Sequence, residues 1–149
     1  MTTPTTPRTP LLPTHTWSAS YPMTPSAARL ARLHTRRRLA SWRWHGDIDD
    51  AVLVVSELVA NAARHGRVPG RHAWLRLAVV EGGGLVVDVS DAVAGFPGFP
   101  GGAAGAMGEG GRGLIVVRQL AHDVSWFPRD GGGKTVRARL TGGGGGGDL

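Results

Sequence analysis

Apolar residues recur with a helical period between residues 48 and 65. At about 100° per residue, one side of this segment is apolar and the opposite side is polar. Asp47 or Asp49 is suited to cap its start, and Gly66 is suited to end it after His65. The pattern therefore predicts an amphipathic helix, and its apolar side consists of Ile48, Ala51, Val52, Val55, Leu58, Val59 and Ala62.

The residues before this helix predict an edge strand and an earlier helix. His15–Tyr21 alternates in part between polar and apolar residues, which predicts an edge strand that ends before Pro22. Thr24 then supplies an N-cap and Pro25 a first-turn proline. We therefore expect a helix that runs to about Ser41.

Alternation in the second half of the chain predicts two hairpins. A Gly-rich turn separates the two strands of each hairpin, as hairpin connections commonly require. The first pair of strands is His72–Val80 and Leu85–Ser90, and the second pair is Asp123–Phe127 and Lys134–Leu140. The inward face of the last strand is predicted to carry Val136, Ala138 and Leu140.

A long loop lies between the hairpins. Residues 92–113 contain nine glycines and two prolines, so regular structure is expected only from Leu114, where a third helix begins. Helices that are grouped, together with strands paired as hairpins, indicate an α+β fold. We predict a two-layer sandwich with helices on one face of a mixed, mostly antiparallel sheet.

The composition fits one folded domain between two tails. Residues 1–14 are rich in Thr and Pro and residues 141–149 are rich in Gly, so both are expected to be disordered, which leaves 15–140 as the domain. The 149 residues include no cysteine, which excludes disulfides and Cys-based zinc sites. No apolar run suits a signal peptide or a membrane span, so we expect a cytoplasmic protein without membrane association.

The chain is basic, with a net charge of +6 and a pI of about 11.4. Sixteen of its seventeen basic residues are Arg, a bias that also arises from a GC-rich genome. The densest cluster is predicted to be a solvated helix face, with nucleic-acid binding as a remote alternative that would show a steep salt dependence. The cluster comprises Arg29, Arg32, Arg36, Arg37 and Arg38.

The central helix also carries candidate chemistry on its polar side. Glu57 and Asn61 are four residues apart and project side by side, toward either solvent or a cleft. An Asn oxygen is a suitable magnesium ligand, and a neighbouring carboxylate can accept a proton. The same pair also occurs on ordinary solvated helix faces, so other segments must decide between these interpretations.

Asp91 and the glycines before Leu114 supply further candidates. Asp91 ends an apolar strand, where its carboxylate can accept a hydrogen bond from an exocyclic amino group or form a turn. Gly108, Gly110 and Gly113 match GxGxxG, but no strand runs directly into them, which argues against a dinucleotide fingerprint. Glycines at a helix start still suit phosphate binding, or else they relieve tight packing.

The segment GGGKT resembles a phosphate-binding P-loop only in part. The full pattern needs glycine at position 128, which is Pro128, and a helix after the lysine rather than an alternating strand. We therefore interpret GGGKT as a hairpin turn.

Taken in order, these segments resemble the GHKL ATPase superfamily with its Bergerat fold. ELVANAARHG resembles its N box, VSDAVAG its first glycine box and GRGL its second. The resemblance covers about residues 15–140. VVSELVANAARHG, EGGRGLIVVRQLAHDVSW and GGKTVRARL are most similar to the small anti-sigma-factor serine/threonine kinases of the superfamily.

The resemblance implies ATP and Mg²⁺ as cofactors and assigns roles to individual residues. Asn61 would coordinate magnesium, Glu57 would be the general base and Asp91 would bind adenine. Residues 96–110 would form a lid over the phosphates. The remaining cofactor-binding residues would be Gly95 beside the base, Gly111, Arg112, Gly113 and Leu114 at the phosphates, and Thr135 near adenine.

The resemblance also implies partners. A kinase of this branch binds a sigma factor and phosphorylates an anti-anti-sigma protein of the STAS type, and its relatives suggest a homodimer. No direct contact with nucleic acid is expected. Val93 departs from the DxGxG pattern of the first glycine box, and a bulky side chain there disfavours positive φ. The competing hypothesis is therefore a noncatalytic interaction module that binds nucleotide weakly.

Overall fold

The computed structural model of the chain describes residues 11–65, 67–94 and 109–143. Within them the chain forms three helices and five strands. In chain order these are β1 (Pro13–Pro22), α1 (Pro25–Ser41), α2 (Ile48–His65), β2 (His72–Val80), β3 (Leu85–Asp91), α3 (Glu109–Leu120), β4 (Asp123–Pro128) and β5 (Lys134–Leu140).

The five strands form one sheet in the order β1-β2-β3-β5-β4. All four pairings are antiparallel, including β3 with β5, where Val87 lies opposite Ala138. The predicted α+β sandwich is confirmed. Since no parallel pair occurs among the described strands, the sheet is antiparallel rather than mixed, and the parallel unit that a dinucleotide fingerprint requires is absent from them.

The helices cover one face of this sheet, called here the inner face. On β3 the residues that point to it are Leu85, Val87 and Val89, each at most 2% exposed. α2 lies between α1 and α3 and contacts both, as well as β3. Its buried side chains include Val54 and Val55, which are fully buried. Burial of this apolar side, as the period predicted, fixes α2 against the sheet.

The predicted starts of α1 and α2 are confirmed. α1 begins at Pro25 as expected, although the Thr24 side chain makes no capping hydrogen bond. At α2, Asp47 is the cap, because its Oδ1 accepts a hydrogen bond from the N–H of Asp50 at 3.0 Å. The edge strand is also confirmed, since β1 is the first strand of the sheet.

The start of α3 was predicted wrongly. The helix begins at Glu109, five residues before the expected Leu114. Each glycine in a helix costs about 1 kcal/mol relative to alanine, which is why the sequence suggested a later start. Leu114 and Val117 are completely buried in the core, and this packing outweighs the poor helix propensity of the preceding glycines.

Tyr21, the only tyrosine of the chain, joins β1 to α1. It is 2% exposed, and its hydroxyl lies 2.6 Å from Nδ1 of His34. His34 also meets the ring of Trp17 edge to face. Burial raises the pKa of the Tyr21 hydroxyl from 10.0 to about 12, because the phenolate would lose its hydration.

The inner-face core predicts a contrast between two leucine substitutions. Leu77→Ala removes a side chain that is 0% exposed on β2, whereas Leu30→Ala removes one that is 44% exposed on α1. Leu77→Ala should lower the free energy of unfolding by about 2–5 kcal/mol. Leu30→Ala should change it by less than about 1 kcal/mol. Urea denaturation measures both, and equal losses would contradict this assignment of the core.

The raised pKa of Tyr21 predicts a loss of stability in alkali. Between about pH 10 and pH 12 the unfolded chain releases the phenolic proton while the folded chain keeps it. The free energy of unfolding should therefore fall as the pH rises through this window. In Tyr21→Phe this contribution is missing, so the stability advantage of the wild type should shrink from pH 9 to pH 11. A constant difference would refute the shift.

Candidate functional site

Three polar side chains meet in the layer between α2 and the inner face of the sheet. Asn61 comes from α2, Asp91 from the end of β3 and Lys134 from the start of β5, and they are 6%, 3% and 3% exposed. The side chains around them are mainly apolar, and we call the group the polar cluster. Charged residues are rarely buried so completely without a partner, so this cluster marks a candidate site. Its other lining residues are Leu58, Ala62, His65, Val89 and Val136.

A buried ion pair dominates the polar cluster. Asp91 Oδ1 accepts a hydrogen bond from Lys134 Nζ at 2.9 Å and another from the N–H of Val93 at 2.9 Å. Lys134 Nζ also donates to the carbonyl oxygen of Val93 at 3.2 Å. Asp91 thus does form a turn, the alternative left open by the sequence. The ammonium ties β5 both to β3 and to the residues that follow β3.

Strand register brings these two charges together. Asp91 and Lys134 are cross-strand partners in the β3/β5 ladder. Just before Lys134, Gly133 has a φ of +86°, and a Cβ there would lie 2.1 Å from the carbonyl oxygen of Asp91. Only glycine permits this close approach. The turn between β4 and β5, closed by a hydrogen bond from the N–H of Arg129 to the carbonyl of Gly133, confirms the hairpin interpretation of GGGKT.

Asn61 lies deeper than the helical pattern suggested. The sequence placed Asn61 and Glu57 together on the polar side of α2. Asn61 instead follows the fully buried Val54 by two helical turns, so both point toward the sheet. Glu57 lies one turn earlier and is partly exposed. Its carboxylate forms no hydrogen bond or ion pair with the described residues. α2 therefore carries a partly accessible carboxylate, Glu57, and a buried amide, Asn61, one helical turn apart.

Thr135 was expected near adenine, but the structure places it on the other face of the sheet. Successive residues of a strand point to opposite faces, so Lys134 takes the inner position and Thr135 the outer one. The Thr135 hydroxyl lies 2.7 Å from that of Ser90. Lys134 was not predicted as a site residue, although it continues the two-residue period of the inward-facing Val136 and Ala138.

The remaining predicted site residues belong to α3 or lie outside the described residues. Gly111, Arg112 and Gly113 are helical in the first turns of α3, and Gly111 falls in the turn whose N–H groups have no helical partner. Leu114 is 0% exposed and packs in the core. Gly95 and residues 96–108 of the expected lid lie outside the described residues.

The outer face carries a second ion pair across the same two strands. Arg137 donates from Nε and Nη2 to the two carboxylate oxygens of Asp88, at 2.7 and 2.8 Å. These hydrogen bonds raise the pKa of the Arg137 guanidinium. Arg76 also contacts Asp88 at 3.6 Å, and the Arg137 side chain is 19% exposed, whereas both side chains of the Asp91–Lys134 pair are 4% exposed. Substitutions in this pair therefore serve as controls for substitutions in the Asp91–Lys134 pair on the inner face.

The polar cluster suits a shared magnesium site rather than a site built by the protein alone. No group of three or more His, Asp or Glu side chains placed to hold a metal occurs within residues 11–65, 67–94 and 109–143. Magnesium commonly takes one or two protein oxygens and completes its shell with phosphates and water. The Asn61 amide oxygen fits this limited contribution, with Glu57 close by.

Comparison with known proteins supports the α+β fold described above. The profile of the family described as histidine kinase-like ATPase domain matches residues 21–140. Among solved structures, the chain is similar to the RsbU and RsbW domains of Rv1364c from Mycobacterium tuberculosis, with 24% identity and a TM-score of 0.62. That match covers 87% of this chain and 33% of the other, and at this identity it shows the fold.

Two negative findings complete the comparison. No curated protein matches the chain. None of the helices that the structure describes is long and apolar enough to cross a membrane.

The family match confirms the resemblance to the GHKL superfamily that the sequence motifs indicated. Because this match extends over most of the chain, the chain belongs to the histidine kinase-like ATPase domain family.

Proposed function

We propose that the chain binds Mg-ATP and acts in the cytoplasm as an anti-sigma-factor kinase that phosphorylates a serine of a STAS-type anti-anti-sigma protein. The main support is the convergence of Asn61 and Asp91 on one cleft from two separate elements. The order of the two residues along the chain is that of the GHKL motifs. The RsbW domain named for the similar structure supports a role in this regulatory branch.

In this proposal the cleft and the start of α3 have separate tasks. The Asp91 carboxylate accepts a hydrogen bond from the exocyclic amino group of adenine, and the first turn of α3 presents N–H groups to the phosphates. The Asn61 oxygen would hold magnesium, which would neutralise charge on the phosphates when bound. Phosphoryl transfer needs mainly this positioning and charge stabilisation.

Glu57 is the proposed general base. It accepts the proton of the partner's serine while the serine Oγ attacks the γ-phosphorus, and the bond from that phosphorus to the bridging oxygen of ADP breaks. Partial exposure suits this role, because the acceptor serine arrives on another protein. Its neighbour Asn61 lies one turn deeper, which separates proton transfer from metal binding.

A second candidate function is a switch that uses nucleotide only as a conformational ligand. The position of Val93 favours it. Val93 stands where the usual DxGxG pattern has its first glycine. Its N–H is bound by Asp91 and its carbonyl by Lys134. A segment fixed in this way binds nucleotide less readily than a free glycine loop. Phosphate transfer to a partner distinguishes this switch from the kinase.

The proposed nucleotide contacts predict selective losses of binding. Asp91→Ala and Asn61→Ala should each weaken Mg-ATP binding by at least roughly tenfold in calorimetric titration, because each removes a polar contact in a dry cleft. Only Asn61→Ala should also reduce the dependence of ATP affinity on magnesium. Asp88→Asn changes a buried carboxylate on the outer face of the same strand and should keep wild-type affinity. Absence of ATP binding by the wild type would overturn the proposal.

The proposed base predicts a separation of binding from transfer. Glu57→Gln should bind Mg-ATP as the wild type does but transfer phosphate to the partner's serine at least about 100-fold more slowly, since proton removal is lost. Transfer is measured with labelled ATP and purified STAS-type proteins from the same organism. Glu81→Gln alters a carboxylate in the β2–β3 turn and is the control. Unchanged transfer in Glu57→Gln would reject Glu57 as the base.

A further inference from the structure

The Lys134 ammonium is bound to one oxygen of the carboxylate that, by the proposed function, binds adenine. Lys134 Nζ donates to Asp91 Oδ1 at 2.9 Å. The exocyclic amino group of adenine is also a nitrogen donor, and by the proposed function it would address the same carboxylate. In the structure as it stands, Asp91 therefore already has a hydrogen-bond donor of the kind that ATP would bring.

The cleft has no space for a base beside this ion pair. The open volume among Asn61, Asp91, Lys134 and their apolar neighbours is about 10 Å³. That is room for about one water molecule. A purine ring reaches Asp91 only if one of the lining groups moves aside.

Lys134 is the group best able to move. Asp91 is anchored by its place in β3, by the N–H of Val93 and by the close approach of Gly133 to its carbonyl. Asn61 lies on the long, well-packed helix α2. Lys134 ends in a flexible four-carbon chain, and its ammonium is readily hydrated once it reaches water. Withdrawal of Nζ would also release the carbonyl of Val93.

We propose that Lys134 is a specificity-determining latch of the nucleotide cleft: its ammonium holds Asp91 until an adenine amino group displaces it. This inference rests on the proposed function, because it takes Asp91 as the base-binding carboxylate. The latch lowers the affinity for every nucleotide by the free energy of the ion pair. It also links base binding to release of the Val93 carbonyl from Lys134.

The latch discriminates between purines by the groups on their edges. Adenine offers a donor that replaces the ammonium on the Asp91 carboxylate. Guanine and hypoxanthine carry a carbonyl oxygen at that position, and this acceptor cannot replace a donor on a carboxylate. They would displace the ammonium without supplying a donor in its place, whereas adenine restores one hydrogen bond to the buried carboxylate. ATP therefore opens the latch and GTP does not.

The sequence provides a direct test, because Lys134 is the only lysine of the chain. An amine-reactive label such as an acetylating reagent modifies Lys134 and the α-amino group alone, and peptide mass mapping separates the two sites. In the free protein, labelling of Lys134 should be slow because the side chain is 4% exposed and paired. Saturating Mg-ATP should accelerate it at least roughly tenfold, while Mg-GTP should leave it slow. Slow labelling in a demonstrated ATP complex would overturn the latch.

A substitution provides the second test. Lys134→Met keeps a flexible chain of similar length but removes the competing charge, so its Mg-ATP affinity should rise roughly 10- to 100-fold in calorimetric titration. Arg137→Met breaks the ion pair with Asp88 on the outer face and should leave ATP affinity unchanged. If Lys134→Met does not fold, the labelling experiment on the wild-type protein still decides.

The outcomes separate the latch from the function on which it rests. Equal ATP affinity of the wild type and a folded Lys134→Met would overturn the latch and leave ATP binding intact. Weak but measurable binding by the wild type with tight binding by Lys134→Met would support both. Binding by neither would overturn the proposed function together with the latch. Tight GTP binding that slows Lys134 labelling further would show that Lys134 contacts the base, which also overturns the latch.

Discussion

The packing of α2 against the inner face of the sheet is the constraint on which the rest of the structure depends. Val54 and Val55 are completely buried between the sheet and the flanking helices. This burial fixes the rotation of α2 and therefore the direction of every residue in phase with it. Asn61 is brought into the cleft by that rotation, and Glu57 stays at the accessible side. The same layer of apolar contacts separates the cleft from water, which strengthens electrostatic interactions within it.

The buried ion pair at the end of this layer has opposite consequences for stability and for function. Two charges withdrawn from water lose hydration, and their attraction repays this cost only with good geometry and further hydrogen bonds. Asp91 and Lys134 satisfy both conditions through the backbone of Val93. A carboxylate held in this way is ready to bind a donor, but it is also occupied. The site therefore combines preorganisation with a barrier to entry.

Much of the fold could be predicted from the sequence because its elements carry strong periodic signals. α2 and both hairpins follow directly from the spacing of apolar residues and from their turns. α3 was predicted to begin too late, because local propensity at Gly110 to Gly113 conflicts with the burial of Leu114 and Val117. Tertiary packing decided that boundary, and tertiary packing cannot be read from a window of sequence.

The candidate site was predictable in its residues but less so in its geometry. Motif order identified Asn61 and Asp91, and the structure brings them together. The orientation of Asn61 could be recognised only from the burial of Val54, which lies two helical turns earlier on the same side of α2. Thr135 was assigned to the site because a threonine fits the family motif, whereas strand alternation gives Lys134 the inner position. The contact between Lys134 and Asp91 depends on the register between β3 and β5, which the sequence of neither strand determines alone.

Binding of a metal-nucleotide complex in the cleft beside Asn61 can be measured directly in this chain. Asn61 is the only asparagine, so ¹⁵N-asparagine labelling gives a single side-chain amide signal in the NMR spectrum. Manganese substitutes for magnesium and broadens signals near it. We expect Mn-ATP to broaden the Asn61 amide signal beyond detection, whereas the same concentration of Mn²⁺ without nucleotide should leave it sharp. A sharp Asn61 signal in protein saturated with Mn-ATP would show that the metal does not bind beside Asn61.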